Sequence, residues 1–156
     1  MRILVTGGAG FIGSHTVDRL VAGGQAVRIL DSLEKPVHLK GKPAYLNREA
    51  EFVLGDVTSR EDLGAALDGV EAVIHLAAYQ DYLPDFSKFF RVNAAGTALL
   101  YELIVAEKLP VRKVVVASSQ AVYGEGRQRE LSEAHAGASL PDVDDLLRSG
   151  DTWTVS

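Results

Sequence analysis

The chain has 156 residues, 47% hydrophobic and 24% charged, with a net charge of −5, a pI near 5.3 and no cysteine. That size suits one domain with a real core, and the balance excludes a disordered chain. The acidic charge argues against nucleic acid or an anionic membrane as partner, and the lack of Cys excludes disulfides and thiolate metal sites.

The N-terminus, MRILVTGGAGFIGS, lacks the basic start and long apolar run of a signal peptide. No apolar run approaches the roughly 20 residues of a membrane helix. The expectation is a soluble, cytoplasmic protein with a small polar ligand.

In chain order, RILV (Arg2 to Val5) is a short β-branched run, TGGAG a tight turn, and Phe11 to Ala22 has helical spacing, with Ile12, Thr16, Leu20 and Val21 on one face. Gly23 and Gly24 stop that helix before AVRIL opens a second strand. Near-continuous apolar runs, as expected of parallel strands buried on both faces, recur in EFVL (Glu51 to Leu54), AVIHL (Ala72 to Leu76) and KVVVA (Lys113 to Ala117). Helices are predicted over Arg60 to Leu67 and from Ser87 to Glu107, the latter apolar on more than one face. Residues 32–50 read as an irregular connection. Alternating strands and helices predict an α/β fold, a Rossmann-like doubly wound parallel sheet. After Gly126 the texture turns polar, with a helix predicted from Pro141 to Arg148 and no strand of core quality. The expected organisation is a dinucleotide-binding domain over 1–126 and a polar tail, the start of an insertion or linker, over 127–156. The chain reads as the front part of a larger design, stopping before a C-terminal lobe for substrate.

Gly7, Gly10 and Gly13 stand at G-x-x-G-x-x-G spacing between a strand and a helix. Glycines there permit an unusual turn, the approach of a pyrophosphate to backbone, and close packing of helix on strand. The helix N-terminus offers N–H groups to phosphates. Asp31 ends the second strand 18 residues after Gly13, where a carboxylate can accept from both ribose hydroxyls and repel a 2′-phosphate. That favours NAD over NADP, with Arg28 and Lys35 as the contrary signals. By spacing alone Asp56 reads as a cap of the helix near Ser59. His75 reads as a satisfied interior histidine. Ser118 and Ser119 follow the fifth strand on the ligand-binding edge of an open α/β sheet. The acidic group Asp142, Asp144 and Asp145 lacks metal-loop spacing and reads as a solvated helix face, so no metal site is predicted.

Taken together, TGGAGFIGSH, LDSL, GDV, VIHLAA, VNAAGTALLYE and SSQAVYGEG resemble the NAD-binding half of the extended short-chain dehydrogenase/reductase superfamily, in its nucleoside-diphosphate-sugar epimerase and dehydratase branch. The resemblance covers Met1 to about Gly126. It implies a Rossmann sheet, NAD as cofactor and a nucleotide-sugar substrate. It implies that Phe11 and Ile12 lie against the pyrophosphate and that Asp31, Ser32 and Leu33 hold the adenosine ribose. Asp56 and Val57 would border the adenine, Leu76, Ala77 and Ala78 would line the cofactor, and Asn93 would match the asparagine of an N-x-x-G-T segment. Ser119 would be the catalytic serine, with Ser118 beside the cofactor and Tyr79 and Gln80 facing substrate. A homodimer through the helix from Ser87 to Glu107 is also implied.

Chemistry in that family resembles a transient oxidation of a sugar carbon in which hydride passes to the nicotinamide and a serine, a tyrosine and a lysine assist, the last two spaced Y-x-x-x-K on one helical face. No tyrosine of this chain has a lysine four positions later, and none follows Tyr123. Tyr123, with Arg127 at that spacing, matches instead the tyrosine of the family's S-S-x-x-V-Y-G turn. The expectation is an NAD-binding portion that is inactive alone. A non-catalytic, dinucleotide-responsive binding module stays open as the alternative.

Overall fold

A computed structural model describes residues 1–35, 37–80 and 83–119, together with the backbone of two later strands. The order is β1 (Arg2–Thr6), α1 (Phe11–Ala22), β2 (Ala26–Asp31), β3 (Glu51–Leu54), α2 (Arg60–Leu67), β4 (Ala72–His75), α3 (Phe86–Phe89), a wide π-helical segment (Phe90–Gly96), α4 (Thr97–Ala106) and β5 (Lys113–Val116). All five strands are parallel, in the order β3-β2-β1-β4-β5. The chain folds into two compact units, Met1–Ala117 and Ser118–Ser156. In the second, β6 (Arg127–Glu130) and β7 (Asp151–Thr154) pair in parallel as a small separate sheet. Their sequences, RQRE and DTWT, carry no apolar run, so the hydrophobic pattern gives no sign of them. The helix predicted from Pro141 to Arg148, with its acidic group, and Tyr123 lie outside the described residues.

Each face of the sheet has its own core. On one side Leu4, Leu30 and Val73 pack with Leu63 and Leu67 of α2 and with Leu100 and Leu103 of α4. On the other, Val5 and Ile29 pack with Val17 of α1 and with Leu46 from the connection between β2 and β3. The buried face of α1 is Gly13 and Val17, with Leu20 and Val21 partly covered, while Ile12 is 69% exposed. The predicted face is therefore rotated by about one position. Gly13, with no side chain to count as apolar, makes the closest approach to the turn below it.

From Phe86 to Ala106 the helical segments run on for 21 residues and are, by length and composition, long and apolar enough to cross a membrane. This corrects the expectation that no stretch approaches that limit. Leu100 and Leu103 are nonetheless fully buried against the sheet, as a crossover helix requires.

The chain direction reverses between β1 and β4. From β1 it steps outward to β2 and β3, then crosses back to β4 on the other side of β1. Ligands of open α/β sheets bind outside the carboxyl ends of strands at such a point. A Cβ at Gly13 would stand 2.1 Å from the Gly7 carbonyl oxygen, and one at Gly7, whose φ is 68°, would stand 2.7 Å from the Ala77 nitrogen. At Gly64 in α2 a Cβ would meet nothing within 4 Å. Gly13→Ala should therefore cost about 3 kcal/mol, the upper end for overpacking, whereas Gly64→Ala should stabilise by roughly 0.5–1 kcal/mol. Urea denaturation of the two variants checks this, and equal midpoints would contradict it.

Candidate functional site

A cleft opens at the carboxyl ends of β1, β2 and β4, lined by Gly7, Gly10, Asp31, Ser32, Val57, Leu76, Ala77 and Ala78 among the residues singled out from sequence. Leu30, Glu34, Val37, His38 and Gly55 line it too. Gly10 caps α1 without a side-chain hydrogen bond, and the first turn carries no acidic residue. The N–H groups at the start of α1 are thus available to an anion. A Cβ at Gly10 would touch only the Gly7 oxygen, at an ordinary 3.4 Å. Packing within the protein does not demand glycine there, but a group lying against the backbone would.

Asp31 forms the polar centre of this cleft. One oxygen accepts the Ala9 N–H (Oδ2, 2.9 Å) and the other the Leu33 N–H (Oδ1, 2.9 Å). The first bond ties the glycine turn to the end of β2. The second fixes a tight turn in which Leu33 takes a left-handed φ of 52°, a conformation that costs a non-glycine residue about 1 kcal/mol. A carboxylate has about four acceptor sites, so about two remain, one on each oxygen, which suits a vicinal diol. Leu33 itself packs into the core rather than lining the cleft.

Arg28, a contrary signal for NADP, is spent elsewhere. Its guanidinium is buried at the end of α2, where Nη1 donates to the Ala66 and Asp68 carbonyls (both 2.9 Å) and Nε to Glu51 Oε2 (2.9 Å). A cation there satisfies the last carbonyls of the helix.

Asp56 Oδ1 accepts from both the Thr58 N–H (2.8 Å) and the Thr58 hydroxyl (2.9 Å). The cap of α2 is Ser59, whose hydroxyl accepts the Asp62 N–H at 3.2 Å. The spacing argument that made Asp56 the cap was thus three residues early. Phe11, 81% exposed, and Ile12 stand at the first turn of α1, with the Phe11 ring edge-on to His15 at 5.1 Å.

Beyond β4, the Asn93 side chain brackets Tyr79: its Oδ1 accepts the Tyr79 N–H (2.7 Å) and its Nδ2 donates to the Tyr79 carbonyl (2.9 Å). Asn93 sits in the π-helical segment, a distortion frequent at functional sites. The Tyr79 ring packs edge-on against Phe89 at 4.9 Å, its hydroxyl donates to Asp85 (3.0 Å), and Lys88 Nζ lies 4.3 Å from its centroid. Gln80 is exposed. Ser118 and Ser119 follow β5 in sequence and belong to the second unit.

His75 is buried and fully engaged. The Ala77 N–H donates to Thr6 Oγ1 (3.2 Å), which lies 2.8 Å from His75 Nδ1, while Nε2 lies 3.1 Å from Thr97 Oγ1 and the Thr97 hydroxyl donates to the Asn93 carbonyl (2.8 Å). Since the Thr97 proton is committed to Asn93, Thr97 must accept from Nε2–H. Nδ1 is then the acceptor of the Thr6 hydroxyl. That is the tautomer of a neutral ring, the form that burial favours by pushing the His75 pKa below the usual value.

Tyr45 and His38 escaped the sequence reading. The Tyr45 hydroxyl donates to the Ala9 carbonyl at 2.7 Å, a second tether on the glycine turn. Both residues come from the irregular connection, where no periodicity marks an inward-facing side chain.

The model of the NAD dependent epimerase/dehydratase family matches residues 3–141, and the chain belongs to that family. It is 39% identical over 131 residues to a dTDP-L-rhamnose 4-epimerase of Burkholderia thailandensis, covering 80% of this chain and 36% of that protein. It is 36% identical over 125 residues to a sterol-4-alpha-carboxylate 3-dehydrogenase (decarboxylating) of Homo sapiens, covering 80% and 31%. A solved UDP-glucose-4-epimerase from Stenotrophomonas maltophila, with bound NAD and formylated UDP-arabinopyranose, matches with a TM-score of 0.68 at 30% identity, covering 80% of this chain and 39% of that one. The chain spans well under half the length of these relatives.

Two outcomes are expected. Asp31→Ala should weaken NAD by roughly 1.5–3 kcal/mol, the range for hydrogen bonds to a charged group; unchanged affinity by calorimetry would refute that role. For His75, the folded pKa lies below the unfolded value of about 6.5, so between the two the unfolded chain binds more protons. Its contribution to stability is present above pH 6.5 or so and is lost as the pH falls through the folded pKa. Urea midpoints measured from pH 7.5 down to 5 should therefore fall more steeply for the parent than for His75→Asn, and parallel curves would contradict the assignment.

Proposed function

We propose that this chain is the NAD-binding part of a nucleoside-diphosphate-sugar epimerase or dehydratase. The observation that carries the reading is the cleft itself: an uncapped helix N-terminus, an open backbone surface at Gly10, and a buried carboxylate with acceptor sites to spare. When bound, NAD supplies transient hydride acceptance at a sugar carbon.

In this reading the turn from Gly7 to Gly13, with Phe11 and Ile12, receives the pyrophosphate, and Asp31 and Ser32 the adenosine ribose, with the Leu33 N–H holding the Asp31 carboxylate in place. Asp56 and Val57 border the adenine. Leu76, Ala77 and Ala78 line the cofactor, and Asn93 fixes the adjoining loop through Tyr79. Ser119 hydrogen-bonds the reacting oxygen, with Ser118 beside the cofactor and Tyr79 and Gln80 toward the substrate. Sterol and sugar-nucleotide relatives match this chain at similar identity, which supports the cofactor half of the reading most strongly. The sugar-nucleotide half rests on the epimerase relatives and on the motifs. A homodimer through the helix from Ser87 to Glu107 is part of the same proposal, supported by the exposed Phe90 and Val105.

No tyrosine of these 156 residues has a lysine four positions later, so the proton-transferring pair of the reaction is missing. The purified chain with NAD and UDP-glucose or dTDP-L-rhamnose should give no epimerised sugar above background. Measurable turnover would overturn the inactivity.

A further inference from the structure

The connection between β2 and β3 returns to the carboxyl ends of the strands and delivers His38 beside Asp31. Its backbone is held in a turn, with the His38 N–H donating to the Glu34 carbonyl at 3.2 Å and the Gly41 N–H to the His38 carbonyl at 3.1 Å. The side chain is only 6% exposed, that of Asp31 is 9% exposed, and His38 Nε2 lies 3.8 Å from Asp31 Oδ1. Both residues line the same cleft. The separation is too long for a direct hydrogen bond, and buried polar nitrogens are nearly always satisfied. Among the described residues no other side chain is hydrogen-bonded to this ring.

A hydroxyl oxygen about 2.8 Å from each group fits over this gap. It would accept from Nε2–H, in the tautomer protonated there, and give its own proton to Oδ1, which keeps an acceptor site after serving Leu33. We propose that His38 is a second ribose-binding side chain, bridging with Asp31 a single hydroxyl of the adenosine ribose. The inference rests on the NAD reading of the cleft and deepens it. Asp31 is supplied by the strand motif, whereas His38 is supplied by the irregular connection, so recognition of the ribose in this chain depends on that connection being folded.

Calorimetric titration of the whole chain tests this, using NAD and two NAD analogues, one lacking the 2′-hydroxyl and one the 3′-hydroxyl of the adenosine ribose. His38→Ala should weaken NAD about fivefold, the size of one hydrogen bond, yet leave one of the deoxy analogues bound within about twofold of the parent. His38→Gln, which keeps an N–H donor, should recover part of the loss for NAD. An equal loss for all three ligands would mean that His38 only packs the loop, and unchanged NAD affinity would mean that it makes no contact; either overturns the inference while leaving the cofactor reading intact. A parent chain that binds no NAD overturns the cofactor reading, and this inference with it.

Discussion

The Asp31 carboxylate holds the cleft together. Its two oxygens pin the glycine turn through Ala9 and the left-handed turn at Leu33. Hydrogen bonds to a charged group contribute about 1.5–3 kcal/mol each, enough to offset the strain at Leu33. The same carboxylate fixes how closely the start of α1 approaches the end of β2. Tyr45 reinforces this from the opposite side by donating to the Ala9 carbonyl, and the glycine turn is thereby held at both polar groups of one residue. Such a turn is set before any ligand arrives, which lowers the ordering cost of binding.

A second polar chain lies beside the cleft and reaches it at Ala77, whose N–H donates to Thr6 Oγ1. Thr6, His75, Thr97 and Asn93 run from β1 through β4 to the long helix and end on the segment containing Tyr79. Burial disfavours the charged ring, and the histidine serves as a strut between the two threonines. This ties the loop after β4 to the helix rather than leaving it to the solvent. The wide π-helical turn occurs where Asn93 must reach back to that loop.

Much of this was legible in the sequence, for physical reasons particular to each element. The five strands and α2 follow from apolar runs between turn signals, and Asp31 from its place at the end of a buried strand. Two other features were misread. The face of α1 was displaced because the contact-making residue is Gly13, invisible to an apolar count. Spacing alone makes Asp56 the cap of α2, where the resemblance puts it at the adenine, because spacing does not distinguish an Asp that turns the chain at Thr58 from the Ser59 that receives the helix N–H. His38 and Tyr45 left no pattern at all. They act through a connection whose shape comes from tertiary contacts, with Leu46 buried in the core and Asn47 donating to Asp18.

Amide chemical shifts of the labelled chain during NAD titration test the account most directly. The largest changes are expected at Ala9, Phe11, Ile12 and Leu33, with smaller ones at Val57 and Ala77. Binding that shifts residues away from this edge of the sheet while leaving the Ala9 and Leu33 amides unmoved would contradict it.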